Sequence, residues 1–448
     1  MKNTEQIIGA IDVGTTKIVT VIGKINDSGK LEILALAKAD SKGVKRGVVQ
    51  NIEETVASIR KTVEEAELKA GVKLSEVFVG IAGQHIKSMK IGSHLHRDNL
   101  EEEITREDLQ RLEEDVRKVP LDIGESIIHV IPQSYVVDNE TGIKNPVGML
   151  GRRIEGNFHL VIANMAMAKN LEKCVNRVGL KVKYLMLEPI ASAEAVLTEE
   201  EKEAGVVLVD IGGGTTDIAV YHDFVIAHTA VIPFGGNIVT EDIKKGCAIL
   251  QRQAEQLKIQ FGSTFGELAD PDKVVSISGI AGREPREISF RNLAYIIQFR
   301  MEEIIDKVYY EVERSGIADR LSAGFVFTGG GALIRHLPQF VKFRTGMDVR
   351  IGFPGEYLAA STPAEYNHPI YATAIGLLLK GHEYLKTHNE SMTVNPLTFA
   401  QASEQKLAEE TAQPDPAANA KESKKKPSLL DTVRRTFSEL FDEDDTKM

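Results

Sequence analysis

One pattern occurs twice in this chain, and it limits the fold more than any other feature. IDVGTTKIVTVI, Ile11 to Ile22, and VDIGGGTTDIAVY, Val209 to Tyr221, both read as apolar strand, aspartate, glycine turn, paired threonines and second strand. The residues after each Thr-Thr pair are apolar and often β-branched, so each motif predicts a β-hairpin. A GxxxxGK[ST] loop would open a helix at this point instead. LEILALAKAD, Leu31 to Asp40, adds a third strand after the first hairpin. Two such motifs at matching places in sheet-rich halves predict an α/β chain with two sheet domains facing each other over a cleft.

The turn chemistry points to a phosphate ligand. Glycines at 14, 212, 213 and 214 lack Cβ atoms, so backbone N–H groups there can approach phosphate oxygens. Thr15, Thr16, Thr215 and Thr216 add hydroxyl donors, and Lys17 offers a positive charge near a β- or γ-phosphate. Asp12 and Asp210 end strands on opposed sides of the cleft, and their carboxylates suit a hydrated Mg²⁺. A single motif of this kind would be a carboxylate-stabilised turn. The pair favours a nucleotide.

A third glycine cluster, FVFTGGGALI, places Gly329, Gly330 and Gly331 at a strand end, suited to pass beneath a sugar and base. EDIKKGCAILQRQAEQLKIQFG, Glu241 to Gly262, reads as one helical run with Glu255 and Lys258 on the same face. Without context they form a surface ion pair; beside a nucleotide they would hold the ribose and base. Glu188 opens a helix with Pro189 in its first turn. It serves either the helix dipole or the orientation of an attacking water.

Bulk properties exclude several alternatives. A chain of 448 residues holds two to four domains. Its net charge of -11 argues against a broad nucleic-acid surface. Two cysteines make no disulfide framework, and the histidines lack metal-ligand spacing. The N-terminus does not read as a signal peptide, and no stretch approaches the ~20 apolar residues of a membrane helix. A cytoplasmic location is expected.

The ordered set IDVGTTK, LEPIASAEAVL, LVDIGGGTTDIAV, FTGGGALI and YNHPIYATAIGLLLKG resembles the actin/Hsp70/hexokinase nucleotide-binding superfamily: two phosphate loops, an adenosine loop and two connecting helices. VGIAGQHIKSMKIG and HVIPQSYVVDN…GIKNPVGMLGRR, between the halves, narrow the resemblance to the bacterial cell-division family FtsA, which carries a small inserted α/β subdomain there. The resemblance implies an actin-like duplicated fold with a first core subdomain over 1–85 and 164–205 and the insertion over 86–163. It implies a second core over 206–236 and 291–388, and a nucleotide-side subdomain over 237–290.

It further implies ATP with Mg²⁺ as cofactors, with the ion's waters on Asp12 and Asp210. The phosphates fall to Gly14, Thr15, Thr16, Lys17, Gly212, Gly213, Gly214, Thr215 and Thr216, with Asp217 supporting that loop. The nucleoside falls to Glu255, Lys258, Gly329, Gly330 and Gly331. Implied partners are the C-terminal peptide of FtsZ, other copies in filaments, later division proteins and the membrane surface. Arg286 and Arg300 would meet the peptide's acidic groups, while Tyr295 and Phe299 are expected to serve mainly the internal core. ATP turnover stays open, with Glu188 the one candidate for a water-orienting group. A soluble sugar or metabolite kinase shares the two loops; an Hsp70-like chaperone would need a substrate-binding sandwich domain after the core.

After His388 the chain turns polar and Ala/Pro-rich, and 389–427 reads as a disordered linker. SLLDTVRRTFSELF, 428–441, resumes helical periodicity. At 100° per residue Leu429, Leu430, Val433, Phe437, Leu440 and Phe441 share an arc of about 120°. Three preceding lysines with Arg434 and Arg435 give this segment the character of a membrane-surface helix. The DEDD run after it opposes anionic lipid, so apolar insertion carries most of the binding. Burying a Phe is worth roughly 2–3 kcal/mol. Phe437→Glu should therefore release most of the protein from vesicles in a flotation assay. Replacing Arg434 and Arg435 by Gln should have a smaller effect that fades as salt rises. Flotation of the Phe437→Glu protein at the wild-type level would make the segment a protein-docking helix.

Overall fold

The computed structural model describes residues 6–98, 101–279, 284–392 and 394–396. All belong to one unit, Met1–Leu397. The linker from residue 397 onward and the helix expected at 428–441 lie outside the described residues.

Both repeats fold as the expected hairpins. Ile8–Val13 runs antiparallel to Lys17–Ile25, with Asp12 opposite Val19. Val206–Ile211 runs antiparallel to Thr216–His222, with Asp210 opposite Asp217. Leu31–Asp40 and Val225–Ile232 flank them as third strands. On the other side each sheet continues with two parallel strands: Glu76–Ile81 and Lys181–Leu187 in the first half, Gly324–Thr328 and Val349–Ile351 in the second. The two five-stranded sheets therefore share one strand order, position by position. Every residue of the central strands Ile8–Val13 and Val206–Ile211 is buried, as parallel sheets covered on both faces require.

Two helices connect the sheets, Glu188–Val196 and Ala372–His388. Their small residues bring them close: Ala191, Ala193, Ala195, Ala372 and Ala374 share one core with Ala10 and Val19 of the first sheet and Leu208 and Val326 of the second. Gly376 lies against the backbone of Ala191, where a Cβ would strike the Ala191 carbonyl.

Between the halves of the first sheet domain lies a separate α/β subdomain. Its sheet orders Glu140–Ile143, Glu125–Val137, Arg153–Asn164 and Lys87–His96. The helix Arg106–Val116 packs on it and starts with a reciprocal Thr105–Asp108 capping box. Its core is its own: Ile104, Leu112, Tyr135, Ile154, Phe158 and Leu160. The second half carries helices Gly236–Cys247 and Gln251–Phe261, the short pair Val274–Ile277 and Arg286–Ser289, and the long helix Phe290–Arg314.

Two expectations are corrected. The single helical run over 241–262 is two helices, because Ala248 adopts a left-handed backbone with φ 52°. That turn buries Ile249 in the second core. The linker expected from 389 does not begin there either. The helix Ala372–His388 does end where expected, but Val394–Pro396 pairs antiparallel with Val72–Leu74 and so returns to the first half.

The close crossing at Gly376 generates a test. Because the obstacle to a Cβ is backbone, Gly376→Ala should destabilise the protein by about 1–3 kcal/mol, read as a lower urea midpoint with unchanged m-value.

Candidate functional site

The tips of the two hairpins meet. A Cβ on Gly213 would strike the Thr16 hydroxyl, and one on Gly214 the Thr15 hydroxyl, so only glycine lets the loops stand this close. A helix start packs against the second loop: the Gly236 N–H donates to Gly212 O at 2.8 Å and the Asn237 N–H to Gly213 O at 2.8 Å. Gly329, at φ 81°, lies against the Asp210 carboxylate and the Ile211 carbonyl, and Gly331 lies against Ile211. The three glycine clusters read from the sequence thus converge on one place.

Four carboxyl groups gather there: Asp12, Glu188, Asp210 and Asp217. Asp210 Oδ2 accepts from Ser192 Oγ at 2.7 Å and from Thr373 Oγ1 at 3.1 Å, and the two hydroxyls are 3.0 Å apart. Ser192 belongs to one connecting helix and Thr373 to the other. Asp217 Oδ2 accepts from Thr215 Oγ1 at 2.9 Å, in keeping with a loop-supporting role, while its buried Oδ1 has no partner among the described residues.

Burial governs the protonation of this cluster. It pushes the Asp12 carboxyl up to about 6, Lys17 opposing and Asp210 reinforcing the shift. Burial, then the neighbouring Asp12, Asp217 and Asp210, holds Glu188 well above the ordinary carboxyl range. Asp217 is raised well by burial and Asp210. Asp210 rises by burial against the Ser192 hydrogen bond and Lys17. Among the described residues Lys17 opposes the rise at Asp12, Glu188 and Asp210 but not at Asp217, and a divalent cation would favour ionisation of the whole cluster. The unpaired Asp217 oxygen and the Cβ-free loops fit such an ion with a phosphate chain. Among the described residues, no three acidic, histidine or cysteine side chains form a direct ligand set for a metal.

Glu255 and Lys258 do not form the surface pair that spacing alone would favour. Lys258 is buried; its ammonium pairs with Glu255 Oε2 at 2.8 Å and donates to Thr240 Oγ1 at 2.9 Å and Gly236 O at 3.1 Å. Both therefore stand at the helix start that is hydrogen-bonded to the second phosphate loop.

The expected peptide contacts lie elsewhere, on the second half. Arg286 is exposed and donates to Cys247 O at 3.3 Å. Arg300 is not a free cation: its guanidinium pairs with Asp242 and Glu303, tying the helix Phe290–Arg314 to Gly236–Cys247. Phe299, expected in the core, is 65 % exposed and stacks on Tyr295 at 6.2 Å. Leu429, Leu430, Val433, Phe437, Leu440 and Phe441 lie outside the described residues. Among the described residues no helix is long and apolar enough to cross a membrane.

Sequence reasoning missed Ser192 and Thr373. A serine and a threonine in Ala-rich helices carry no spacing signal; only the tertiary crossing brings them to Asp210.

Comparison with solved structures defines the class. The chain resembles the PilM–PilN type IV pilus biogenesis complex with a TM-score of 0.61 at 17% identity, covering 84% of this chain and 98% of that one. It also resembles MreB5 of Spiroplasma citri bound to ADP, with a TM-score of 0.53 at 15% identity, covering 86% and 98%. The fold is actin-like. Residues 207–376 match the model of the cell division protein FtsA, and residues 83–162 match the SHS2 domain inserted in FtsA. FtsA of Pseudomonas aeruginosa is 38% identical over 395 residues, covering 88% of this chain and 93% of its own length. FtsA of Escherichia coli K12 is 36% identical over 386 residues, covering 84% and 91%. The chain belongs to the FtsA family of cell division proteins.

The acid cluster makes a pH prediction for the metal-free protein. Burial holds the folded Asp12 at about 6, above its ordinary value of 3.8. Its protonated form thus favours folding, a contribution complete below the unfolded value and lost as pH rises through the folded one. Asp12→Asn should remove that part of the stability slope between about pH 4 and 6, measured by urea unfolding in EDTA. An unchanged slope would mean that Asp12 is not held protonated by its surroundings.

Proposed function

We propose that this chain is a nucleotide-controlled tether of the division machinery. It binds ATP with Mg²⁺ between the two halves, self-associates into actin-like filaments, and holds the FtsZ ring to the cytoplasmic face of the cell membrane while later division proteins are recruited. The observation that carries the reading is the Asp210 carboxylate held by one hydroxyl from each connecting helix. Whatever engages Asp210 acts on both elements that join the sheets.

The bound nucleotide would supply a γ-phosphate whose presence or loss distinguishes two states. The N–H groups of Gly14, Gly213 and Gly214 would face its phosphates, with Thr15 and Thr16 as hydroxyl donors and Lys17 as the cation. Gly212, Thr215 and Thr216, expected to donate as well, instead shape the loop: the Gly212 N–H donates to Thr215 O, and the two hydroxyls to Asp217 Oδ2 and Phe234 O. Asp12 and Asp210 would accept from the waters of Mg²⁺, an ion that normally keeps several of them. Glu255 and Lys258 take the ribose side, and Gly329, Gly330 and Gly331 pass beneath the base. Glu188 orients a water in the cleft. Such a site needs tight positioning and little rate, because a ligand that sets shape works through binding.

For the FtsZ peptide, exposed Phe299 would give an apolar anchor and exposed Arg286 a cation. Arg300 joins them by exchanging Asp242 or Glu303 for an acidic group of the peptide. Membrane attachment rests on the amphipathic segment 428–441 at the end of its linker.

Asp210→Ala tests the central reading. Mg-ATP affinity should fall by about tenfold or more, at least about 1.4 kcal/mol, with the melting temperature little changed. Unchanged affinity in the folded variant, measured by calorimetry, would remove the ion from this place. For the peptide, Phe299→Ala should weaken an FtsZ C-terminal peptide by about 1 kcal/mol or more in a fluorescence titration. No change would move that contact off this helix.

A further inference from the structure

We propose that His85 is a positioning residue for Glu188, holding its carboxyl through a single water in a small cavity that both side chains line. The inference rests on the reading of Glu188 as the group that orients a water in the cleft, and goes beyond it by naming what fixes that group.

The cavity measures about 10 Å³ and is walled by Val13, Gly47, Gly80 and Ala82, with His85 and Glu188 lining it. That is the volume that admits one water. Both ring nitrogens of His85 are buried and have no hydrogen-bond partner among the described residues. A neutral imidazole carries one donor and one acceptor, and leaving both unpaired in the interior is costly. Burial lowers the His85 pKa, which favours the neutral ring. A water lining up with the Glu188 carboxyl would satisfy one of its nitrogens and one carboxyl oxygen together.

Two glycines fix the partners. A Cβ on Gly80 would lie 2.9 Å from Glu188 Cγ and 3.2 Å from Oε1, so the carboxyl rests directly on the backbone of the strand Glu76–Ile81. Gly83, at φ 126°, brings the chain so close to the ring that its Cβ would lie 3.0 Å from His85 Nδ1. The same loop abuts Gly47, whose N–H donates to Thr15 Oγ1 at 3.0 Å in the first phosphate loop. Immediately after His85 the chain enters Lys87–His96, the first strand of the inserted subdomain. The residue proposed to set Glu188 therefore stands where the insertion leaves the nucleotide-side core, and a shift of the insertion would reach the cleft through it.

The test uses the full-length protein and the variants His85→Phe, His85→Gln and Glu188→Gln. Binding of Mg-ATP is followed by calorimetry, single-turnover phosphate release by rapid mixing, and the His85 ring by ¹⁵N NMR. His85→Phe keeps the ring volume and removes both nitrogens. Its affinity should stay within about twofold, since ground-state binding is untouched. Its turnover should fall by about tenfold, as misplacing a reacting group does. His85→Gln restores a donor and an acceptor and should recover part of the rate; it carries the test if the Phe variant fails to fold. Glu188→Gln should shift the ring nitrogen signals of His85. Wild-type turnover in His85→Phe, or ring signals unmoved by Glu188→Gln, would overturn the proposal. Should Glu188→Gln turn over like wild type while still moving those signals, the role given to Glu188 falls and the His85–Glu188 link stands.

Discussion

The Asp210 carboxylate is the point through which the rest of the molecule is connected. It ends the central strand of the second sheet, and its Oδ2 accepts from hydroxyls on two helices that cross between the sheets. The helices can donate there only because they approach each other through Ala191 and Gly376, with Ser192 and Thr373 on the same side of that crossing. Burial raises the Asp210 pKa and the serine hydrogen bond only partly offsets the rise, so the ionised form gains most from a cation placed beside it. Charge at this place, close packing of small residues and the joint between the halves are therefore one arrangement.

A second joint lies outside the cleft. The inserted subdomain is anchored to the second half by Ser88, whose hydroxyl donates to Thr229 O at 2.8 Å, and by His159, whose Nε2 is 2.8 Å from Thr229 Oγ1. Gln133 donates to Ile226 O at 2.9 Å, and Lys90 to Ser315 O at 3.0 Å. Burial pushes His159 down to about 4, so this contact works through a neutral ring near physiological pH. The insertion leaves the first half at His85 and leans on the second through these bonds, so it is sensitive to how the halves are disposed.

The parts of this architecture that were legible in the sequence are those carried by local patterns. The two hairpins, their aspartates and their glycine turns each fit within a dozen residues, and all three glycine clusters do meet in the structure. Contacts between distant residues were not legible: Ser192 and Thr373 are 181 positions apart. Periodicity continued through Ala248, because an alanine ordinarily extends a helix; the burial of Ile249 decided otherwise. Residue type alone places Phe299 inward, but its helix turns Ile297 and Met301 to the core and leaves Phe299 outside. Of the two partners of Arg300, Glu303 lies at i+3 on its own helix and is legible as a pair, whereas Asp242 sits 58 positions away in the chain and is not. Val394–Pro396 looked like linker because three residues carry no strand signal until Val72–Leu74 offers them an edge.

The claim that a nucleotide is read through Asp210 by both connecting helices can be measured as a distance across the cleft. Spin labels at the exposed positions Lys61 in the first half and Lys245 in the second, in a protein with both cysteines replaced, would report the separation of the halves by double electron–electron resonance. Addition of Mg-ATP should shift and narrow the distance distribution in the wild type, and the Ser192→Ala, Thr373→Val protein should bind nucleotide yet lose that response. A distribution that moves equally in both proteins, or in neither at saturating nucleotide, would contradict the account.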